Sequence, residues 1–178
     1  METVCVVGLG YVGLPTASLL ASRGFQVHGV DVNQKAVDTI NQGNIHIHEP
    51  DLDVLVNAGV KSGHLKASLE PQPADVFILA VPTPFQDRYV PDVSYIEAAT
   101  KAIAPYIEAG NLVILESTSP VGTTEKIVEW LQAAREDLDV AGSVYVAHCP
   151  ERVLPGQILK ELVSNDRIVG GINQASTE

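Results

Sequence analysis

Short, continuous apolar runs punctuate the chain: VCVVG (4–8), FQVHGVD (25–31), DVFILAVP (75–82), NLVILES (111–117) and SVYVAH (143–148). Each is rich in β-branched residues and too short for a helix. That is the pattern of strands buried on both faces, as in a parallel sheet. HLKASL (64–69) and RIVGG (167–171) are weaker strand candidates. Between these runs the apolar positions recur at helical spacing. Leu14, Ala17, Leu20 and Ala21 share one face, and Gly24 stands where a helix would end. Ala98, Ala102 and Tyr106 repeat in the same way, as do Ile127, Trp130, Leu131 and Ala134. Strands alternating with helices predict an α/β domain with a doubly wound, mostly parallel sheet. No internal repeat or low-complexity segment interrupts the pattern. At the far end, Asn173 and Ser176 are helix-capping types, with Glu178 placed in the first turn. A chain that halts where a helix starts reads as the front part of a longer protein.

Composition narrows this picture. A chain of 178 residues suits one domain, and 46% hydrophobic residues supply a core without staples. Two cysteines, Cys5 and Cys149, form no disulfide framework. Neither a signal peptide nor a membrane-spanning run is evident, so the expectation is a soluble, reduced, cytoplasmic protein with no membrane partner. The formal charge of −11 argues against nucleic acid, whose phosphates demand a basic stripe. A local anion site remains open to it, because backbone N–H groups at a helix start can hold a phosphate in an acidic protein.

The first strand leads into GLGYVG, which sets Gly8, Gly10 and Gly13 in G-x-G-x-x-G spacing. The first glycine permits a tight turn, the second lets a pyrophosphate approach the backbone, and the third lets the helix pack closely on the strand. The required context is present: a strand before, a helix after, and a second strand ending at Asp31, 18 residues past Gly13. An acidic residue there accepts hydrogen bonds from both ribose hydroxyls and repels the extra phosphate of NADP. The expected fold is therefore Rossmann-type and the expected cofactor NAD. Lys35, one turn into the next helix, reads as a solvated surface lysine.

In such folds the ligand lies across the carboxyl ends of the strands, so the residues just after each strand matter. Thr83 follows the 75–82 run within a proline-rigid VPTP turn. Ser117 and Thr118 follow the next run, and Thr123 and Thr124 stand where the next helix begins. Hydroxyls there suit a cofactor or a reacting oxygen, although Ser and Thr at helix starts are also ordinary caps. HIHEPD (46–51) offers metal-ligand types in His46, His48 and Glu49, but no third and fourth ligand follows at a recognisable spacing. No metal is expected, and Glu49-Pro50-Asp51 reads as a helix start. Cys5 lies inside the first strand and reads as core. His148 and Cys149 are adjacent at a strand end, where neighbours point to opposite faces, so they make no dyad.

Taken in order, GLGYVGLPTA, VDVN, AVPTP, ESTSPVGTT and CPERVLPGQ resemble the nucleotide-sugar 6-dehydrogenases, the UDP-glucose dehydrogenase superfamily. The resemblance runs from residue 3 to the last residue. Its most specific part, PERVLPG, is similar to the branch acting on UDP-N-acetylhexosamines. UDP-glucose enzymes carry a second acidic residue where this chain has Pro155. The resemblance implies oxidation of UDP-N-acetylmannosamine to its uronate in two NAD-dependent steps, for a bacterial or archaeal surface polysaccharide. UDP-N-acetylglucosamine is the alternative substrate, and a free-standing NAD-binding module is the alternative outside enzymology.

By the same resemblance, Thr118 and Glu151 match catalytic positions that manage water and the developing oxyanion. Gly8, Gly10, Tyr11, Val12, Gly13, Asp31, Thr83, Ser117 and Thr124 match the cofactor site. Arg152, Val153, Leu154 and Pro155 match a substrate loop that starts near 149–157. The family's nucleophilic cysteine and its central and C-terminal domains have no counterpart among these residues. The resemblance thus implies an NAD-binding domain over 1–178 without turnover of its own. It also implies a homo-oligomer for the complete protein and a monomer for this chain.

Overall fold

The computed structural model describes residues 2–86 and 90–178. Seven strands form one sheet: β1 (Thr3–Val7), β2 (Gln26–Val30), β3 (Leu65–Ser68), β4 (Val76–Leu79), β5 (Leu112–Leu115), β6 (Tyr145–His148) and β7 (Gly170–Gly171). Their order is β3-β2-β1-β4-β5-β6-β7, parallel throughout except for β7. This is the doubly wound Rossmann arrangement with an antiparallel edge. The RIVGG run contributes only Gly170 and Gly171 to the sheet. Arg167 lies ahead of the strand, and its side chain pairs with two carboxylates.

The period of two along each strand divides the core in half. Val4 and Val6 of β1 face one layer and Cys5 and Val7 the other, while β4 divides between Ile78 on the first side and Phe77 and Leu79 on the second. On the first side, β1 and β2 are covered by α1 (Gly13–Ser22), α2 (Gln34–Asn41) and α3 (Leu52–Ser62). The predicted face of α1 is the buried one, with Leu14, Ala17 and Ala21 inside and Gly24 just beyond the end at φ +91°. On the second side lie α4 (Ser94–Ile103), a 3-10 turn (Ala104–Tyr106) and α5 (Thr123–Ala134), then the short α6 (Val140–Ser143). Cys5 is fully buried, and burial pushes its thiol up to about 11, which keeps it protonated and inert.

One helix faces the core differently from the expectation. Ala98 and Ala102 of α4 are exposed, and the buried seam is Ile96, Ala99, Thr100 and Ile103. The two isoleucines bury more apolar surface than two alanines, and the Thr100 hydroxyl donates to the Ile96 carbonyl at 2.7 Å, which satisfies it inside. Two last helices, α7 (Ile158–Ser164) and α8 (Gln174–Thr177), flank β7 in sequence. Asn173 caps α8 by accepting from the Ser176 N–H, as its residue type predicts. No helix among the described residues is long and apolar enough to cross a membrane.

Candidate functional site

The strand order reverses between β1 and β4, and a crevice opens at the carboxyl ends of these two strands. The glycine turn forms its floor. Gly8 sits at φ +93°, and a Cβ there would lie 2.6 Å from the Ala80 carbonyl oxygen. A Cβ at Gly13 would lie 1.8 Å from the Gly8 carbonyl oxygen, so only glycine lets α1 start this close to β1. At Gly10 a Cβ would meet nothing within 4 Å, which leaves room for a ligand to approach the backbone. Val12 occupies the cap position of α1, and no side chain among the described residues caps it. Leu14 N–H already donates to Gly10 O at 3.1 Å and Pro15 has no N–H, so an anion at this helix start would be met by the N–H groups ahead of Leu14.

Asp31, at the end of β2, is held by the loop it faces. Its Oδ2 accepts from the Leu9 N–H and its Oδ1 from the Asn33 N–H, each at 2.9 Å. Each carboxylate oxygen has two lone pairs, so both can still accept a hydroxyl. Asn33 in turn caps α2 by accepting from Lys35 and Ala36, and Lys35 is exposed on that helix. These features fit a dinucleotide: open space above Gly10, an uncapped helix start and a ribose acceptor.

The far wall follows from the ladder. Beyond each strand the chain leans on its neighbour's last carbonyl: Glu116 N–H on Leu79 O (2.9 Å), Cys149 N–H on Leu115 O (2.9 Å), Glu151 N–H on Glu116 O (3.2 Å). The residues after β4, β5 and β6 are thus brought side by side. Together they close a cleft of about 310 Å3 lined by Gly8, Gly10, Tyr11, Val12 and Asp31 on one side. Val81, Pro82, Thr83, Glu116, Ser117, Thr118 and Glu151 line the other. Ser117 is buried, and its hydroxyl donates to Val81 O at 2.7 Å, tying the end of β4 to that of β5. Thr118 stands exposed at the cleft.

Other expected residues lie outside this lining. Thr124 is in the first turn of α5 with its hydroxyl 3.2 Å from Glu125 Oε2, and Thr123 donates to Pro120 O at 2.7 Å. Neither threonine caps the helix, because Gly122 occupies the cap position. Gly13 supports the turn from beneath. Arg152, Val153, Leu154 and Pro155 run along the loop after Glu151, with the Arg152 guanidinium donating to Asp166 O at 3.2 Å.

Two sets of contacts had no signal in the sequence, although some of their residues did. The first is a charge cluster at the cleft wall. Arg167 Nη1 donates to Glu116 Oε1 at 2.9 Å, and its Nη2 donates to Glu151 Oε2. Burial first, and the charge of Glu151 after it, hold the Glu116 carboxyl above the usual carboxylate range, against the pull of Arg167 and Thr16. Burial opposes the Arg167 charge, but hydrogen bonds to Glu116 and Cys149 and the two carboxylate charges outweigh it and raise its pKa. The second set belongs to Glu49. His46 and His48 are exposed, whereas Glu49 turns inward and is 3% exposed. Its Oε2 accepts from the Gly156 N–H and its Oε1 from the Ile158 N–H, both at 2.7 Å. The carboxylate singled out beside two histidines therefore caps α7 from more than 100 residues away. Helix α3 does start just after Asp51, but Asp51 itself is left-handed at φ 62° and makes no side-chain cap bond.

Comparison with known proteins gives the family. The profile of the UDP-glucose/GDP-mannose dehydrogenase family, NAD binding domain, matches residues 2–178. An NDP-N-acetyl-D-galactosaminuronic acid dehydrogenase of Ralstonia nicotianae is 61% identical, over 99% of this chain and 43% of its own length. A UDP-N-acetyl-D-mannosamine dehydrogenase of Campylobacter jejuni is 57% identical, over 98% of this chain and 45% of its own. Among solved structures, the UDP-N-acetyl-mannosamine dehydrogenase Cap5O of Staphylococcus aureus superposes with a TM-score of 0.92 at 42% identity, covering 98% of this chain and 43% of that one. The chain spans less than half the length of each of these relatives. The matched domain binds NAD, and the glycine turn, the helix start and Asp31 line a cleft whose features fit such a dinucleotide. The chain belongs to the UDP-glucose/GDP-mannose dehydrogenase family, and what it comprises is that family's NAD-binding domain.

Proposed function

We propose that this chain is the cofactor-binding part of a longer nucleotide-sugar 6-dehydrogenase acting on a UDP-N-acetylhexosamine. The observation that supports this reading most is the placement of Thr118 and Glu151 on the cleft wall opposite the glycine turn, directly before the Arg152-to-Pro155 loop. The overall change is R–CH2OH + 2 NAD+ + H2O → R–COO− + 2 NADH + 3 H+, where the carbon is C6 of the sugar. Each NAD, when bound, takes two electrons and one hydrogen from that carbon.

The residues of this chain then bind and orient. Asp31 accepts the adenosine ribose hydroxyls, and the backbone at Gly10, Tyr11 and Val12 holds the pyrophosphate. Thr83 and Ser117 shape the nicotinamide side, Ser117 by fixing the strand ends, and Thr124 stands behind them at the start of α5. Thr118 donates to the oxygen on which charge develops, and Glu151 orients the water that releases the carboxylate. Arg152, Val153, Leu154 and Pro155 form one wall for the sugar. The nucleophilic cysteine lies in the remaining part of the longer protein, so the 178-residue chain binds NAD without turning over. In the longer protein that part also assembles the homo-oligomer.

The PERVLPG loop supports UDP-N-acetylmannosamine as the substrate. The relative at 61% identity, named for N-acetyl-D-galactosaminuronic acid, favours a second reading in which the galacto sugar nucleotide is oxidised. Turnover of the complete protein on the manno, gluco and galacto UDP-N-acetylhexosamines decides between them. The manno substrate is expected to yield two NADH per sugar, while the isolated chain yields none. Oxidation of the galacto or gluco substrate but not the manno one would overturn the choice. Steady NADH production by the chain alone would overturn the division of labour.

A further inference from the structure

Glu151 reaches the cleft wall with both of its oxygens engaged. Oε2 accepts from Arg167, and Oε1 accepts from the Arg152 N–H at 2.7 Å. The Glu151 side chain is 6% exposed, and that of Glu116 is 3% exposed. Among the described residues, the ion pairs of both carboxylates are made with the same guanidinium. Arg167 spends one nitrogen on each, in the planar fork that only arginine offers. Glu116 is fixed on its other side by the Thr16 hydroxyl, which donates to Oε2 at 3.2 Å from α1. The chain of contacts runs from α1 through the end of β5 and the segment before β7 to the loop after β6. A single cation thus links the glycine-turn helix to Glu151.

We infer that Arg167, braced by Glu116, is a positioning residue that locks the Glu151 carboxylate in the orientation from which it handles water. The inference rests on the hydrolytic reading of Glu151 proposed above. Two buried carboxylates with one guanidinium form a cluster that loses its counter-charge entirely when the arginine goes. One of them must then take up a proton or swing toward solvent, and either change removes Glu151 from its place. Burial already holds Glu116 above the usual carboxylate range, so the cluster has no charge to spare. A lysine at 167 keeps the charge but presents one point donor, which can serve only one carboxylate at a time. An ordinary structural salt bridge would instead lower stability and affinity together.

The test uses the complete protein, with Arg167→Met, Arg167→Lys, Glu116→Gln and Glu151→Gln assayed for kcat and for the KM of NAD and of the sugar nucleotide. Arg167→Met is expected to lower kcat by about 10²-fold, the scale of a lost general base. Both KM values stay within about twofold, and methylguanidine restores part of the rate. Arg167→Lys is expected to fall between, with kcat down about tenfold. Glu116→Gln keeps an oxygen for the Arg167 fork and is expected to retain more activity than Arg167→Met. An unchanged kcat in Arg167→Lys or Arg167→Met overturns the inference. So does a parallel rise in both KM values with no fall in kcat. If Glu151→Gln abolishes turnover while the Arg167 variants do not, only this inference fails. If Glu151→Gln itself leaves kcat unchanged, the hydrolytic reading falls and takes the inference with it.

Discussion

Replacing Gly13 with alanine is expected to destroy both the fold around the glycine turn and the binding of NAD, whereas the same change at Gly10 is expected to remove NAD binding alone. The added methyl at 13 would lie 1.8 Å from the Gly8 carbonyl oxygen and 3.2 Å from Ala80 Cβ. The first contact is with backbone, so no side chain can rotate away. Gly8 cannot retreat either, since it holds φ +93° while its N–H donates to Val30 O at 2.8 Å. Overpacking of this kind costs about 3 kcal/mol or more. In a chain of this length that lowers the melting temperature by roughly 10 °C. At Gly10 the methyl meets nothing within 4 Å, so stability should stay within about 2 °C of the parent. The space it fills is where a pyrophosphate approaches the backbone, so affinity for NAD should drop by at least about tenfold. Thermal unfolding and NAD titration of both variants check this. A Gly10→Ala chain that binds NAD like the parent would mean that the dinucleotide does not cross the turn.

Glu49→Ala is the second large effect. Its carboxylate is the acceptor for two N–H groups, at Gly156 and Ile158, in an environment where Glu49 is 3% exposed. Each hydrogen bond to a charged group contributes about 1.5–3 kcal/mol, and truncation leaves the Ile158 N–H buried without its acceptor. A loss of about 3–5 kcal/mol is expected, with a melting temperature lower by 10 °C or so. The damage should concentrate at the end of the Arg152-to-Pro155 loop and at the start of α7, because both bonds lie there. Hydrogen exchange of the Gly156 and Ile158 amides should speed up more than that of the β1 amides. Glu49→Gln retains one acceptor and should lose about half as much. Unchanged melting with unchanged protection at Gly156 and Ile158 would show that the loop is held elsewhere.

The fold was legible because its signals are local. Each of β1 to β6 overlaps a run marked on the sequence, β1 starting one residue ahead of its run, and the glycine spacing with Asp31 points to the crevice. Helix α4 misled because alanines mark helical spacing as well as isoleucines do, while burial is decided by area, which favours Ile96 and Ile103. The site was legible only in its first half. Asp31 lies two residues before Asn33 and at the fixed offset from the glycine spacing that includes Leu9, so the glycine loop and its acceptor read as one motif. Glu49 and Arg167 find their partners 107 and 51 residues away, and such pairs leave no period behind. Glu49 was singled out for the wrong neighbours, the two exposed histidines beside it. Arg167 opens the weak strand candidate RIVGG, where nothing in the sequence sets it apart. The folded sheet sets the ends of β5 and β6 beside the start of β7, which brings Arg167 to Glu116 and Glu151 on the cleft wall.

NAD is expected to bind in the crevice between β1 and β4 through the glycine turn and Asp31. Titration calorimetry of the chain with NAD and with NADP, repeated on Asp31→Ala, tests it most directly. The parent chain should bind NAD, with NADP at least about tenfold weaker because its extra phosphate meets the Asp31 carboxylate. Asp31→Ala should weaken NAD by removing the ribose acceptor and by freeing the Leu9 N–H that the carboxylate holds at 2.9 Å. NADP binding as tight as NAD, or unchanged NAD affinity in Asp31→Ala, would contradict the account.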